Sequence, residues 1–201
     1  MGFSWAPLGK LSEDGLRFRA AGGYGEYRYG GVADGTLQSI YGTAAFADLL
    51  VGYQMGLGRL TLKAFAGLNF DGHLLLPFDE ASKLNTPATG AKLILEAWYN
   101  ATDRIWAQAD LSLASAHGSY GGRMRVGYRV YERYMQDLSI GVEAGAFGND
   151  AGDHARGGGF VRYAWYTGEI SASAGMAGEL AGLKNTSLKN PYGTLVYLKR
   201  F

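Results

Sequence analysis

The chain has 201 residues, 47% of them hydrophobic, with 32 Gly, 14 Tyr, 4 Trp, no Cys and a formal charge of +1. This composition suits a single domain over 1–201 with no linker, excludes disulfides and Cys-ligated metals, and gives no basic field for nucleic acid. No apolar run approaches the roughly 20 residues of a spanning helix, and no secretory signal is visible.

In chain order, "GFSWAPL" (2–8) reads as the end of a strand that turns through "GKLSEDG", so 1–13 is expected to be a partial first strand and turn, or else a short tail or plug. From Leu16 onward the hydrophobic period is two. Strands are expected at about 15–29, 39–55, 60–70, 90–100, 104–116, 122–130, 138–147, 158–166, 168–177 and 191–201. The third shows the pattern well: Leu60, Leu62, Ala64, Ala66, Leu68 and Phe70 alternate with Thr61, Lys63, Phe65, Gly67 and Asn69. In the sixth, Met124, Val126, Tyr128 and Val130 alternate with Arg123, Arg125, Gly127 and Arg129, giving one oily face and one cationic face.

The connections alternate in length. "GLGR" (56–59), "NATDR" (100–104) and "YTGE" (166–169) are tight, whereas 71–90, 148–158 and 178–190 are long. Short turns on one side and longer loops on the other are the pattern of antiparallel transmembrane barrels, with the turns periplasmic and the loops extracellular. The segment 131–137 fits the short side less well. About 10–12 strands are expected. Ten put both termini on the periplasmic side and the N-terminal piece makes eleven; because bacterial single-chain barrels have even counts, a further upstream strand and a signal sequence are expected.

Alternation does not say which face is outside, since a lipocalin-type barrel would turn the same apolar residues inward. The aromatics favour an apolar exterior. Tyr53, Trp98, Tyr99, Trp106, Tyr131, Tyr134, Trp165 and Tyr166 gather at the short-turn ends, and Tyr27, Tyr29, Tyr41, Phe70, Tyr120, Phe147 and Tyr192 at the long-loop ends. Two aromatic bands separated by Leu, Val and Ala match a lipid-facing surface, although ordinary strand propensity also enriches aromatics. The expected mid-height lipid face comprises Leu62, Ala64, Leu93, Leu95, Leu111, Val126, Val142 and Ile170. A terminal Phe201 would anchor the closing strand at the periplasmic interface; either Lys199, Tyr197 and Leu195 or Val196 and Leu198 then face outward.

The stretch "FSWAPLGKLSEDGLRFRAAGGYGEYRYGG" (3–31), with "LVGYQ" (50–54), "RVGYRV" (125–130) and "GVEAGAFGND" (141–150), resembles the cellulose biosynthesis protein BcsS family of proteobacterial outer-membrane proteins over nearly the whole chain. The most distinctive parts are the "APLGxLxxDGLRxR" start and "EAGAFGN". The resemblance implies an envelope protein associated with bacterial cellulose secretion, and it carries over no catalytic residue.

The inward set is expected to include Arg17, Arg19, Glu96, Asp110, Arg123, Arg125, Arg129, Glu143 and Arg162. Charges of both signs in a narrow lumen must pair, with Arg17, Arg123 and Arg125 drawing partners from Glu96, Asp110 and Glu143. Such a network closes the barrel or lines an Arg-biased channel. On the loops, His73, Leu75, Phe78, Asp150 and His154 are recognition candidates, because Leu74–Phe78 is an apolar run that would be unusual to leave wet. A His with Ser119 or a loop Asp could form a surface hydrolase, but "HGSYGG" (117–122) lacks the first Gly of the nucleophile elbow. "GNDAGD" (148–153) does not meet the EF-hand spacing, and "RGGGF" (156–160) resembles a phosphate cradle only superficially. The sequence thus points to a bacterial outer-membrane interaction barrel with no catalytic residue, metal or cofactor. Its candidate partners are outer-membrane lipids and either cellulose secretion machinery or glucan. A narrow passive pore for small solutes or glucan is the alternative, and a surface hydrolase is less favoured.

Overall fold

A computed structural model describes residues 2–33, 35–79, 82, 84–180 and 186–199. Eleven strands form one antiparallel sheet in chain order: β1 Gly2–Trp5, β2 Gly15–Ala33, β3 Thr36–Leu57, β4 Leu60–Leu76, β5 Ala88–Asn100, β6 Ile105–Ala114, β7 Tyr120–Arg133, β8 Gln136–Asn149, β9 Gly152–Trp165, β10 Gly168–Leu180 and β11 Thr186–Lys199. A 3-10 turn, Ala116–Gly118, joins β6 to β7. Among the described residues β1 pairs only with β2, and β11 only with β10. Both edge strands run toward the short-turn end, because Trp5 sits opposite Phe18 near the start of β2 and Lys199 opposite Gly168.

The strands extend further than the apolar alternation suggests. Residues 71–76 belong to β4 and 152–158 to β9, so the expected loop 71–90 shrinks to 77–87 and the expected loop 148–158 is a tight hairpin through Asp150 and Ala151. The physical reason is that a backbone ladder continues where the period-two signal disappears, in β9 because both faces are polar or Gly-rich and in β4 because Asp71, Gly72 and His73 lead into three consecutive leucines. On the short side, β7 runs through an irregularity at Arg129/Tyr131 to Arg133, opposite Gln136, which makes the expected 131–137 connection another tight turn.

The sheet curls into an open half-barrel whose concave face brings together residues three and four strands apart. The convex face carries the residues expected to face lipid: Leu93, Leu95, Leu111, Val126 and Val142 are exposed, with Val142 at 64%. On β11, Leu195 and Tyr197 lie opposite Ala172 and Ile170 and share this outward parity. Phe201 lies outside the described residues. Large rings settle over glycines on the concave side: a Cβ on Gly127 would stand 2.4 Å from the Trp106 ring, and one on Gly141 would stand 2.7 Å from Phe160. Among the described residues, no helix is long and apolar enough to cross a membrane.

Candidate functional site: the charged concave face and its upper mouth

Period two places Arg, Asp, Glu and Ser on the same face of successive strands, and the curl lets them meet. Arg19 on β2 reaches Glu96 on β5 through two hydrogen bonds of 2.6 and 3.1 Å, with Lys63 3.8 Å from the same carboxylate. The Arg19 guanidinium also lies 3.9 Å from the Phe65 ring centre. Arg123 donates to Asp110 at 2.6 and 3.0 Å, and Gln108 holds that carboxylate from its own strand. Lys92 meets Asp48 at 2.7 Å, and Asn69 donates to the other oxygen.

The most buried pair is Arg125 with Glu143, at 2.6 Å and side-chain exposures of 5% and 1%. Glu143 also accepts from Ser173 at 3.1 Å and Tyr192 at 3.0 Å, while Arg125 donates to Ser171 and Ser173 on β10. Every charged atom here has company, which a buried ion pair needs to offset its desolvation. Arg162 bridges Asp137 at 3.0 Å and Glu169 at 2.8 Å.

Two of the expected residues pair differently. Among the described residues Arg17 meets no carboxylate; it donates to the carbonyls of Leu16, Lys10 and Glu13 and so ties down the segment after β1. Arg129 donates to the Asp103 carbonyl and the Asn100 side chain at the short-turn rim.

The aromatic bands need correction. Trp98 and Trp106, expected in the lower girdle, turn inward and stack at 4.2 Å beneath Arg162, with the Trp106 indole donating to Ser139 at 3.1 Å. Tyr27, Tyr29 and Tyr192 also turn inward, to His73, Asp79 and Glu143. Height along the strand had grouped these rings, whereas parity decides which way they point. Tyr163, Trp165 and Tyr197 do cluster on the convex side.

At the upper mouth, His73 and Leu75 sit on β4 rather than on a loop, and Leu75 is buried. Leu74, Leu76 and Phe78 are exposed. His73 lies 2.9 Å from the Tyr27 hydroxyl and 3.4 Å from Asp71, and its ring packs edge-on against His117 at 5.8 Å. Burial pushes the His73 imidazole below its ordinary value; His117 adds to this and Asp71 opposes it. Burial likewise raises the Tyr27 phenol, with Asp71 adding to it. Tyr29, bonded to Asp79 at 2.7 Å, is pushed up to about 12, first by burial and then by that bond. Asp150 lies in the hairpin over the 3-10 turn, its amide donating to the His117 carbonyl, and His154 on β9 stacks on Phe147. Ser119 donates to the Ala116 carbonyl rather than to a histidine, so the hydrolase grouping of Ser119 with a histidine is not assembled. Among the described residues, no cluster of three or more His, Asp or Glu could hold a metal.

The sheet and its interior define an all-β, antiparallel, barrel-like protein with an ion-paired concave face and an oily convex one. The family model for cellulose biosynthesis protein BcsS matches residues 1–201. The chain belongs to that family, which associates it with cellulose biosynthesis. Comparison with curated proteins and with solved structures returns no match.

Proposed function

We propose that this chain is an outer-membrane β-barrel accessory protein of bacterial cellulose biosynthesis and secretion, acting as a structural or interaction component. The observation that carries this reading is the inverted polarity: ion pairs and stacked indoles occupy the concave face, and Leu, Val and Ala cover the convex one. In water, so large an oily exterior would be a liability; against hydrocarbon it is the expected surface. A membrane-spanning sheet leaves no backbone edge facing lipid. The reading therefore requires the outer edges of β1 and β11 to be covered within the membrane.

The filled interior disfavours a conduit, since open aqueous channels belong to barrels of roughly sixteen strands. An interaction role suits the upper mouth. The 17 residues of β4 exceed the 9–11 needed to cross a bilayer, so on this reading His73, near the end of β4, and Phe78 lie above the apolar band. Lipid is the first partner, and cellulose secretion machinery or glucan the second. A tagged full chain, expressed in a cellulose-producing bacterium, should sediment with outer membranes and co-purify secretion components. Recovery from the soluble fraction would overturn the membrane assignment. A steady large conductance in planar bilayers would replace the closed interior with the pore alternative.

A further inference from the structure

Arg19, Arg123, Arg125 and Arg162 on the concave face each meet a carboxylate within 3.0 Å. At the short-turn rim a second set does not. Arg104, Arg129, Glu132 and Arg133, with Val130, Tyr134 and Met135, line a cleft of about 590 Å³. Arg104 donates to the Tyr128 hydroxyl at 3.0 Å, Arg129 bonds only neutral oxygens, and Arg133 has no hydrogen-bond or ion-pair partner among the described residues. Three guanidinium groups thus face a single carboxylate, that of Glu132.

The surroundings define what would neutralise this excess. Arg133 lies opposite Gln136 and Tyr131 opposite Leu138, on the outward parity of Ile140 and Val142. Above them, Tyr128, Val126 and Met124 continue as an exposed apolar stripe. A molecule whose anionic group sits on Arg104 and Arg133 would therefore lie along oily strand surface. That is the shape of an amphiphile, and an acidic peptide would leave the stripe uncovered.

We propose that Arg104 and Arg133, framed by Tyr128 and Tyr131, form a binding site for the phosphate of a phospholipid headgroup. Guanidinium groups match phosphate oxygens bidentately, and aromatic rings at this level occupy the headgroup zone. Arg129 completes the cleft from the concave side. The site rests on the membrane reading above, since its lipid would come from the adjoining leaflet.

The test uses the full chain in a mild detergent and measures binding of three soluble probes by native mass spectrometry and fluorescence: a short-chain phosphatidylglycerol, the matching phosphate-free diacylglycerol, and inorganic phosphate. The phospholipid should bind, and the Arg104→Gln/Arg133→Gln pair should weaken it about tenfold. Arg59→Gln, on a neighbouring turn where Arg59 already lies 3.9 Å from Asp103, should change nothing. Equal binding of diacylglycerol, or an unaffected double variant, overturns the proposal. Inorganic phosphate binding as tightly as the phospholipid overturns the lipid assignment. Because these probes are soluble, the result is independent of vesicle insertion, which is scored separately; an uninserted protein that still binds the phospholipid would overturn the membrane reading alone.

Discussion

Arg162 on β9 holds its guanidinium 5.2 Å from the ring centre of Trp98 on β5, four strands away. No backbone ladder links these strands, so the curl of the sheet is maintained from its concave side by cation–π contacts and ion pairs. Arg125 and Glu143 contribute the most deeply buried link, joining β7 and β8 to serines of β10 and a tyrosine of β11.

Removing one partner of that pair strands the other. Glu143→Leu should destabilise the protein by about 3–5 kcal/mol, because Arg125 is left buried and uncompensated. Arg125→Met combined with Glu143→Leu should recover most of the loss, since no charge then remains to desolvate. Urea unfolding in detergent, followed by the fluorescence of the Trp98–Trp106 stack, measures both. A double variant no better than the single one would show that specific hydrogen bonds matter more here than charge balance.

The convex face gives the second expectation. Val126 is 49% exposed, and a surface site in water tolerates most changes to within about 0.5 kcal/mol. Against hydrocarbon, Val126→Arg should instead cost about 2–4 kcal/mol near the midplane. Folding yield into vesicles against folding in detergent separates the two environments. A harmless Val126→Arg in vesicles removes the lipid-facing assignment.

Much of this architecture is legible in the sequence because period two survives wherever one face is oily. Met124 to Val130 is an example, and counting by two from Arg123 places Arg125 and Arg129 together. The same count carried from Glu96 puts Trp98 on the concave side, and from Asp110 it does the same for Trp106. Their position near turns suggests a girdle, but parity rather than height sets the side a ring faces. Which acid each arginine meets was less accessible: Arg19 finds Glu96 three strands on, a distance set by curl rather than by any local pattern. The upper parts of β4 and β9 were hidden for a different reason. Above the apolar band neither face needs to be oily, so Asp71, His73 and His154 read as loop while their backbone remains in the ladder.

Acidity should act first at the upper mouth. His73 faces Tyr27, Asp71 and His117, and burial holds its imidazole below the ordinary 6.5. Above that pH the imidazole is neutral in both the packed and unfolded states, and the packing is at full strength. As pH falls through 6.5, the unfolded chain binds a proton that the packed chain declines. Stability at the mouth therefore drops until the lower folded value is reached. The protection of amides 71–76, taken as exchange corrected for its intrinsic slowing in acid, should fall between neutral and mildly acidic pH, and His73→Asn should remove that dependence. Unchanged protection in the wild type would mean that Asp71 cancels the effect of burial.

The remaining expectation concerns where partners dock. The connection 77–87 leaves β4 just after exposed Leu74 and Leu76 and carries exposed Phe78, while Asp79 is buried and accepts from Tyr29. Asp79 is thus fastened to the sheet while Phe78 presents an oily ring beside Leu74 and Leu76. Loops on rigid scaffolds are where binding residues concentrate. Phe78→Ser with Leu76→Ser alters only the exposed surface, so strand pairing and thermal stability should change little, by about 0.5 kcal/mol or less. Co-purification with secretion components should fall, and so should cellulose output from cells carrying the variant. Shortening 77–87 to a tight turn should have the same effect and should also loosen Tyr29. If both changes leave cellulose output and co-purification intact, the recognition surface lies instead at the short-turn end, among Arg59, Arg104 and Arg133.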